Sequence, residues 1–212
     1  YFSSIEAKNT LIVEINQPKS IGQIKVAVVG AGQWGRNLVR TFADLKVLAA
    51  LVDTDVARAK ALGKQHGVPV STFSDILADP QINCLVIATP AISHAFMVRK
   101  ALLAGKDVFV EKPLALDVSE AGELVDLAKK RGLILMVGHL LQYHPAYLKL
   151  CTLVRAGKLG RMNYVYSNRL NLGRVRKEEN ILWSFAPHDV SMILTLMGEF
   201  PESVTTVGSY YL

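Results

Sequence analysis

Cysteine is scarce. Cys84 and Cys151 are the two in 212 residues, too few for a disulfide framework, and Cys84 sits inside an apolar run suited to a strand. A reducing cytoplasm is therefore the expected compartment. No apolar run approaches the roughly 18 residues that a membrane span needs, so no transmembrane helix is expected. The opening residues, Tyr1 to Glu6, show neither the basic start nor the apolar run of a secretory signal. No internal repeat and no low-complexity tract is visible. His139 and His144 lack a third ligand at metal spacing, so no metal is expected. Half of the residues are hydrophobic and 20% are charged, which excludes a disordered or acidic-tail class.

Acidic residues are missing from one segment. From Lys149 to Lys177 there are eight basic side chains and no acidic one, leaving 16 basic against 18 acidic elsewhere. The net charge of +6 is thus one segment's property. An anionic small substrate, nucleic acid or a solvated helix face would each suit it. No nucleic-acid motif accompanies the run, and its aromatics are not arranged as a stacking platform. The chain opens at Tyr1 rather than Met and stops at Leu212 after a strand-like stretch, so a longer protein is expected. Residues 1–22 read as an extension, with Thr10–Ile15 a candidate strand and Gln17–Ser20 a linker.

From Ile24 a regular alternation begins. Apolar runs suited to buried parallel strands occur at Ile24–Val29, Val47–Val52, Cys84–Ala88, Val108–Val110 and Leu133–Val137. Helical stretches lie between them at Gly35–Leu45, Val56–His66, Ile92–Ala104 and Ser119–Arg131. Gly67, Gly105 and Gly132 stand where helices end. This pattern predicts an α/β doubly wound parallel sheet over residues 23–138. After Gly138 the rhythm changes. A helix at about Pro145–Ala156, a strand at Asn163–Leu170, a helix at about His188–Met197 and a strand at Ser203–Ser209 predict a partial α+β domain over 139–212 with an open antiparallel sheet.

Gly30-Ala31-Gly32-Gln33-Trp34-Gly35 fits G-x-G-x-x-G, after a Val/Ile strand and at the start of a helix. The first glycine permits the tight turn, the second lets backbone approach a pyrophosphate, and the third lets helix and strand pack. The helix N-terminus offers N–H groups and a positive dipole end to phosphates. Asp53 ends the second strand, 18 residues beyond Gly35, where an acid meets a ribose diol and repels a 2′-phosphate. Thr54 and Asp55 follow rather than Arg or Lys, so NAD is favoured over NADP. A helix-capping role, shared with Asp55, is the plainer reading of Asp53.

Two further strand ends carry chemistry-bearing residues. One is Ala88-Thr89-Pro90 with His94 four residues on, and the other is Glu111-Lys112-Pro113. A lysine beside a cationic nicotinamide has its protonated form disfavoured and is then fit to take a proton from a hydroxyl while hydride leaves. A surface lysine paired with Glu111 is the plainer reading.

The glycine motif, Thr89-Pro90, Glu111-Lys112-Pro113 and the later His188 resemble the glucose-fructose oxidoreductase/inositol dehydrogenase (Gfo/Idh/MocA) family over residues 24–212. The resemblance implies a Rossmann domain followed by an open antiparallel sheet domain that binds substrate and mediates oligomerisation, in a chain of which several second-domain strands are missing here. It implies that Lys112 and His188 are catalytic. It places Gly30, Gly32, Gln33, Trp34, Gly35, Asp53, Thr89, Pro90, His94, Glu111 and Lys112 at the cofactor. Many members carry an Asp four residues before the histidine and another three after it. Here those positions are Ser184 and Ser191, with Asp189 adjacent, so the proton relay rests on Lys112 and His188.

Gly138–Pro145 and Arg169–His188 are similar to a subgroup acting on nucleotide-activated amino sugars, which includes UDP-N-acetylglucosamine 3-dehydrogenases of surface-glycan synthesis. The charge map suits that, since a diphosphate would find Arg169, Arg174, Arg176 and Lys177 clustered there, with Asn171 in the same run, and Arg forks suit phosphate oxygens. Tyr143 and Trp183 would pack on sugar or uracil. The reading is an NAD-dependent oxidation of a secondary hydroxyl at C3. A polyol or simple-sugar dehydrogenase and a non-catalytic dinucleotide-binding protein remain the alternatives.

Overall fold

The computed structural model describes residues 24–170 and 180–209. Five short strands form one sheet: β1 (Val26–Val29), β2 (Leu48–Val52), β3 (Cys84–Ile87), β4 (Asp107–Val110) and β5 (Leu135–Val137). Their order is β2-β1-β3-β4-β5 and every pair is parallel. Parallel strands are joined by crossovers, so helices cover both faces and the central strands are apolar on both sides.

Period-two alternation sends neighbouring side chains of β1 to opposite layers. Val26 and Val28 pack with Val39 of α1 (Gly35–Asp44) and with Leu62 of α2 (Val56–His66). Ala27 and Val29 share the other layer with Ile76 of α3 (Phe73–Ala78), Val98 and Leu102 of α4 (His94–Leu103), and Leu124 and Ala128 of α5 (Val118–Arg131). This is the doubly wound architecture that the strand–helix alternation predicts.

The residues that start and stop these helices are legible. Asp55, Thr72 and Asp117 cap α2, α3 and α5 by accepting from backbone N–H groups three residues on. Gly67 and Gly132 close α2 and α5 in the left-handed region. Helix α3 has no counterpart in the sequence reading. Six residues long, it depends on the Thr72 cap and on one buried anchor, Ile76.

Between α2 and α3 the chain touches the outer edge of β2 once. Val70 bridges Leu51 in parallel, with Leu51 N–H donating to the Pro69 carbonyl at 3.0 Å and Ser71 N–H to the Leu51 carbonyl at 2.8 Å. Counting that bridge as a strand turns the order into 3-2-1-4-5-6, the order of a dinucleotide-binding sheet, with its third strand shrunk to one residue.

The chain divides into two compact units, with the break between Gly138 and His139. In the second, a 3₁₀ turn (Leu140–Tyr143) and α6 (Pro145–Arg155) pack with α7 (Ile181–Met197). Tyr147 Oη donates to the Met192 carbonyl at 2.9 Å, and Gln142 Nε2 donates to Thr195 Oγ1 at 3.0 Å. Burial pushes the Tyr147 phenol up to about 12.

Helix α7 starts at Ile181, not near His188. Asn180 caps it by accepting from Trp183 N–H at 3.1 Å. The helix runs through Pro187, which has no N–H to give the carbonyl four residues back, so that carbonyl lies beside the turn carrying His188.

The strands predicted at Asn163–Leu170 and Ser203–Ser209 do not form among the described residues. Tyr164 is 82% exposed and Val207 91%, and neither stretch has a strand beside it. A strand without a ladder leaves its N–H and C=O groups to water, so alternation alone does not make one. The open antiparallel sheet of the second unit is accordingly not seen in the described residues, and neither is the sheet surface expected to join subunits. Among the described residues no helix is long and apolar enough to cross a membrane.

Candidate functional site

The first unit gathers its polar features at the carboxyl ends of its strands. At the β1–α1 turn Gly30 has a φ of +92°, and a Cβ there would stand 2.6 Å from the Ala88 carbonyl oxygen. A Cβ on Gly35 would run into the Gly30 carbonyl oxygen. Both glycines are demanded by the protein's own packing. Gly32 differs, since a Cβ there would meet nothing within 4 Å. Its openness leaves clear the place where a pyrophosphate must come close to backbone. Helix α1 starts without a side-chain cap and with no acidic residue in its first turn, so its positive dipole end carries no side-chain anion, while Arg36 N–H and Asn37 N–H donate to the Gly32 and Trp34 carbonyls.

Asp53, at the end of β2, ties this loop down. Its Oδ2 accepts from Ala31 N–H at 2.6 Å and its Oδ1 from Asp55 N–H at 2.8 Å. Arg58, on the first turn of α2, forks the same carboxylate, NH2 to Oδ1 at 2.9 Å and Nε to Oδ2 at 3.3 Å. Burial acts to raise the Asp53 carboxyl. The bonds from Arg58, Asp55 and Ala31, with the charge of Arg58, outweigh it and hold the group below the usual carboxylate range. The helix cap of α2 belongs to Asp55, not Asp53.

The glycine loop also reaches β4. Trp34 Nε1 donates to Glu111 Oε1 at 2.7 Å. Gly138 lies close under this carboxylate, where a Cβ would stand 3.0 Å from the same oxygen and press on the Glu111 side chain. Burial pushes Glu111 above the usual range, opposed by the Trp34 and Lys112 N–H groups and by the charges of Lys112 and His94. Half-buried Lys112 follows at once, before a cis peptide to Pro113.

His94, the first residue of α4, is 1% exposed. Its Nδ1 lies 2.7 Å from the Pro113 carbonyl oxygen and its Nε2 2.8 Å from that of Thr89. Both ring nitrogens are thus engaged with main chain, and the imidazole spans the loops after β3 and β4. Thr89 Oγ1 lies 2.7 Å from Ser93 Oγ, and Pro90 opens the 3₁₀ turn Ala91–Ser93. Gln33 and Trp34 are exposed on the turn itself. Gly30, Gly32, Gly35, Asp53, Thr89, Glu111 and Lys112 are thereby brought to one edge of one sheet. Arg58 escaped sequence reading, and Gly138 entered it only as the start of the stretch similar to the amino-sugar subgroup.

In the second unit His188 lies on α7 with its ring 6.5 Å from that of His139 in a T-shaped arrangement. Asp189 beside it is taken by Arg169, Nε to Oδ2 at 2.8 Å and NH2 to Oδ1 at 3.3 Å, and by Ser167 Oγ at 2.8 Å. Burial raises the Asp189 carboxyl, but the Arg169 and Ser167 bonds and the charges of Arg169 and His188 bring it below its usual range. The Arg169 fork expected for a diphosphate is engaged with this carboxylate. Ser191 Oγ donates to the His188 carbonyl at 2.8 Å. Tyr143 is 63% exposed, while Trp183 and Ser184 are half-buried on the first turns of α7. Asn171, Arg174 and Arg176 lie outside the described residues, as does the candidate strand Thr10–Ile15. Among the described residues no three His, Cys, Asp or Glu side chains form a metal-binding group.

Comparison with known proteins agrees with this geometry. The chain is 28% identical over 186 residues to the UDP-N-acetylglucosamine 3-dehydrogenase of Acidithiobacillus ferrooxidans, covering 87% of this chain and 58% of the relative. It is 29% identical over 197 residues to the scyllo-inositol 2-dehydrogenase (NAD(+)) of Bacillus subtilis, covering 88% and 57%. The solved Acidithiobacillus ferrooxidans enzyme superposes with a TM-score of 0.76 at 27% identity, over 87% of this chain and 61% of that one. A protein of gentamicin A biosynthesis, solved in complex with NAD, gives 0.73 at 25% identity over 83% and 54%. The chain spans about half the length of the curated relatives it matches. Residues 24–139, more than half of the chain, match the Gfo/Idh/MocA oxidoreductase family with its NAD-binding Rossmann fold, and the chain belongs to that family.

Proposed function

We propose that this chain takes part in the NAD-dependent oxidation of a secondary hydroxyl, at C3, on a nucleotide-activated amino sugar such as UDP-N-acetylglucosamine. The observation that carries the proposal is the gathering of the open Gly32 turn, Asp53, Glu111 and Lys112 at one sheet edge. There a dinucleotide's pyrophosphate and ribose find donors and acceptors. When bound, the nicotinamide supplies the hydride acceptor. The chain's own part is to bind, orient and move a proton. Gly30 and Gly35 hold the turn, Asp53 receives ribose hydroxyls, and Trp34, through Glu111, fixes the backbone before Lys112. Lys112 or His188 takes the hydroxyl proton. Of the predicted diphosphate anchors, Arg174 and Arg176 carry that role. Arg169 instead braces Asp189 beside His188.

A test follows nicotinamide reduction by absorbance with NAD and UDP-N-acetylglucosamine, with and without Lys112→Ala. Loss of the positioned base should slow turnover about 10²- to 10⁴-fold. Turnover near the intact rate in the variant would discard the mechanism. The second reading is a polyol dehydrogenase. It is favoured by the engagement of Arg169 with Asp189 and by the similar identity to an inositol dehydrogenase. Reduction with scyllo-inositol but not with the nucleotide sugar, and a Michaelis constant indifferent to Arg174 and Arg176, would choose it. Dinucleotide binding without turnover on either substrate would favour a non-catalytic role, to which Ser184 lends support.

A further inference from the structure

We infer that Arg169 and Asp189 are positioning residues whose ion pair sets how readily His188 takes up a proton. Asp189 favours the proton on the imidazole, and Arg169 keeps that hold weak enough for the proton to leave again. The inference rests on the reading of His188 as a proton-accepting residue.

Helix α7 is almost free of charge. Ile181–Met197 contains no Lys, Arg or Glu, and Asp189 is the one acid in its 17 residues. An acid kept for solubility would stand in water. The Asp189 side chain is instead 14% exposed, and Arg169 Nε, Arg169 NH2 and Ser167 Oγ all donate to it. Withdrawing an ion pair from water is costly and often returns nothing in stability. Its place beside His188 gives this pair another use.

Charge acts across a few ångströms without contact, and more strongly away from water. The Asp189 carboxylate therefore favours the imidazolium, and the Arg169 guanidinium opposes it. The influence is mutual, since the charge of His188 helps to keep Asp189 ionised. Two more ionisable groups come from the elements packed around α7. The His139 ring lies edge-on at 6.5 Å and, once protonated, would disfavour a second proton on His188. Tyr147 of α6 reaches the Met192 carbonyl, and a phenol pushed up to about 12 stays neutral at working pH. Ser184, one turn before His188, supplies no charge. Of these groups, Asp189 and Arg169 alone stay charged throughout the neutral range. A base for a hydroxyl works best when its proton affinity lies near the working pH. A bare carboxylate would trap the imidazolium, and a bare guanidinium would leave a poor acceptor. The pair holds the ring between these extremes.

The test is a histidine NMR titration of the full chain, following the imidazole Cε1–H signals in the native protein, in Asp189→Asn and in Arg169→Gln. The His188 signal is the one lost in His188→Gln, and circular dichroism confirms that each variant is folded. Asp189→Asn should lower the His188 midpoint by about half a pH unit or more, and Arg169→Gln should raise it by about as much. Opposite signs are the signature. A purely structural brace, cut at either end, frees the same contact and moves the ring in one direction. Arg169→Lys, which keeps the charge without the fork, should stay near the native midpoint. If Asp189→Asn does not fold, the two Arg169 variants still decide, because a geometric brace would respond to lysine as it does to glutamine. The inference is overturned if both ends shift the midpoint the same way, if neither shifts it, or if lysine and glutamine act alike. Turnover tests the underlying reading separately. Nicotinamide reduction that survives His188→Gln would overturn His188 as the proton acceptor, whatever the midpoints show.

Discussion

Two stretches that the sequence reads as strands meet opposite fates in this protein. Val26–Val29 vanishes from solvent between β2 and β3, while Tyr164, Tyr166 and Leu170 are mostly in water. The valines and tyrosines of both favour strands, so propensity alone does not decide between them. The neighbours do. Each strand of the first unit finds parallel partners and a helix layer on each face, so its backbone groups are paired and its side chains are dry. The second unit, in its described residues, offers two packed helices and a turn. Burial in the first unit is a property of the assembly, which a local pattern announces only when the partners are also present.

That contrast is open to attack, starting where the effect is largest. Leu124 of α5 is fully buried against the sheet, and Leu124→Ala should cost about 2–5 kcal/mol, read as a fall in denaturation midpoint. A small loss would mean that the first core is looser than its burial implies. Gly35→Ala should come next, at about 1–3 kcal/mol, because a Cβ there collides with the Gly30 carbonyl rather than with a flexible side chain. NAD titration should show the same variant weakened.

Acid should then distinguish the carboxylates. Asp53 and Asp189 bind their protons less readily folded than unfolded. Each therefore adds stability above about pH 4, lost as the pH falls through its lowered folded value. Glu111 has the reverse sign, its contribution being complete below about pH 4.3 and lost as pH rises through its raised folded value. Thermal midpoints measured from pH 7 down to pH 3 should decline, and Asp53→Asn or Asp189→Asn should flatten the decline. An unchanged slope in both variants would show that other carboxylates drive it. The smallest effect is expected from Tyr164→Ala, within about 0.5 kcal/mol, as for an exposed side chain. A cost above about 1 kcal/mol would mean that the exposed stretch is packed in solution, and the contrast would collapse.

The parallel sheet could be read directly, since five apolar runs, four helices and the glycine turn fall within a few residues of where the sequence puts them. What stayed hidden depends on contacts between distant residues. Helix α3 is too short for a periodic pattern. The bridge at Val70 is a single residue. Pro187 argues against a helix that a cap at Asn180 nevertheless starts. Of the candidate site, the glycines, Asp53, Glu111 and Lys112 follow from strand ends and motif. The clamp made by His94 does not, because it reaches Pro113, 19 residues away. Nor does the capture of Arg169 by Asp189, 20 residues away, which a count of basic residues cannot foresee.

The bond from Trp34 to Glu111 gives the molecule an optical gauge. The chain holds two tryptophans, Trp34 in the first unit and Trp183 in the second. An indole whose N–H is donated to a half-buried carboxylate changes its emission when that carboxylate gains a proton or when the turn beneath it shifts. Light from Trp34, isolated by Trp183→Phe, therefore reports the charge state of the residue next to Lys112. Light from Trp183, isolated by Trp34→Phe, reports the beginning of the helix that carries His188.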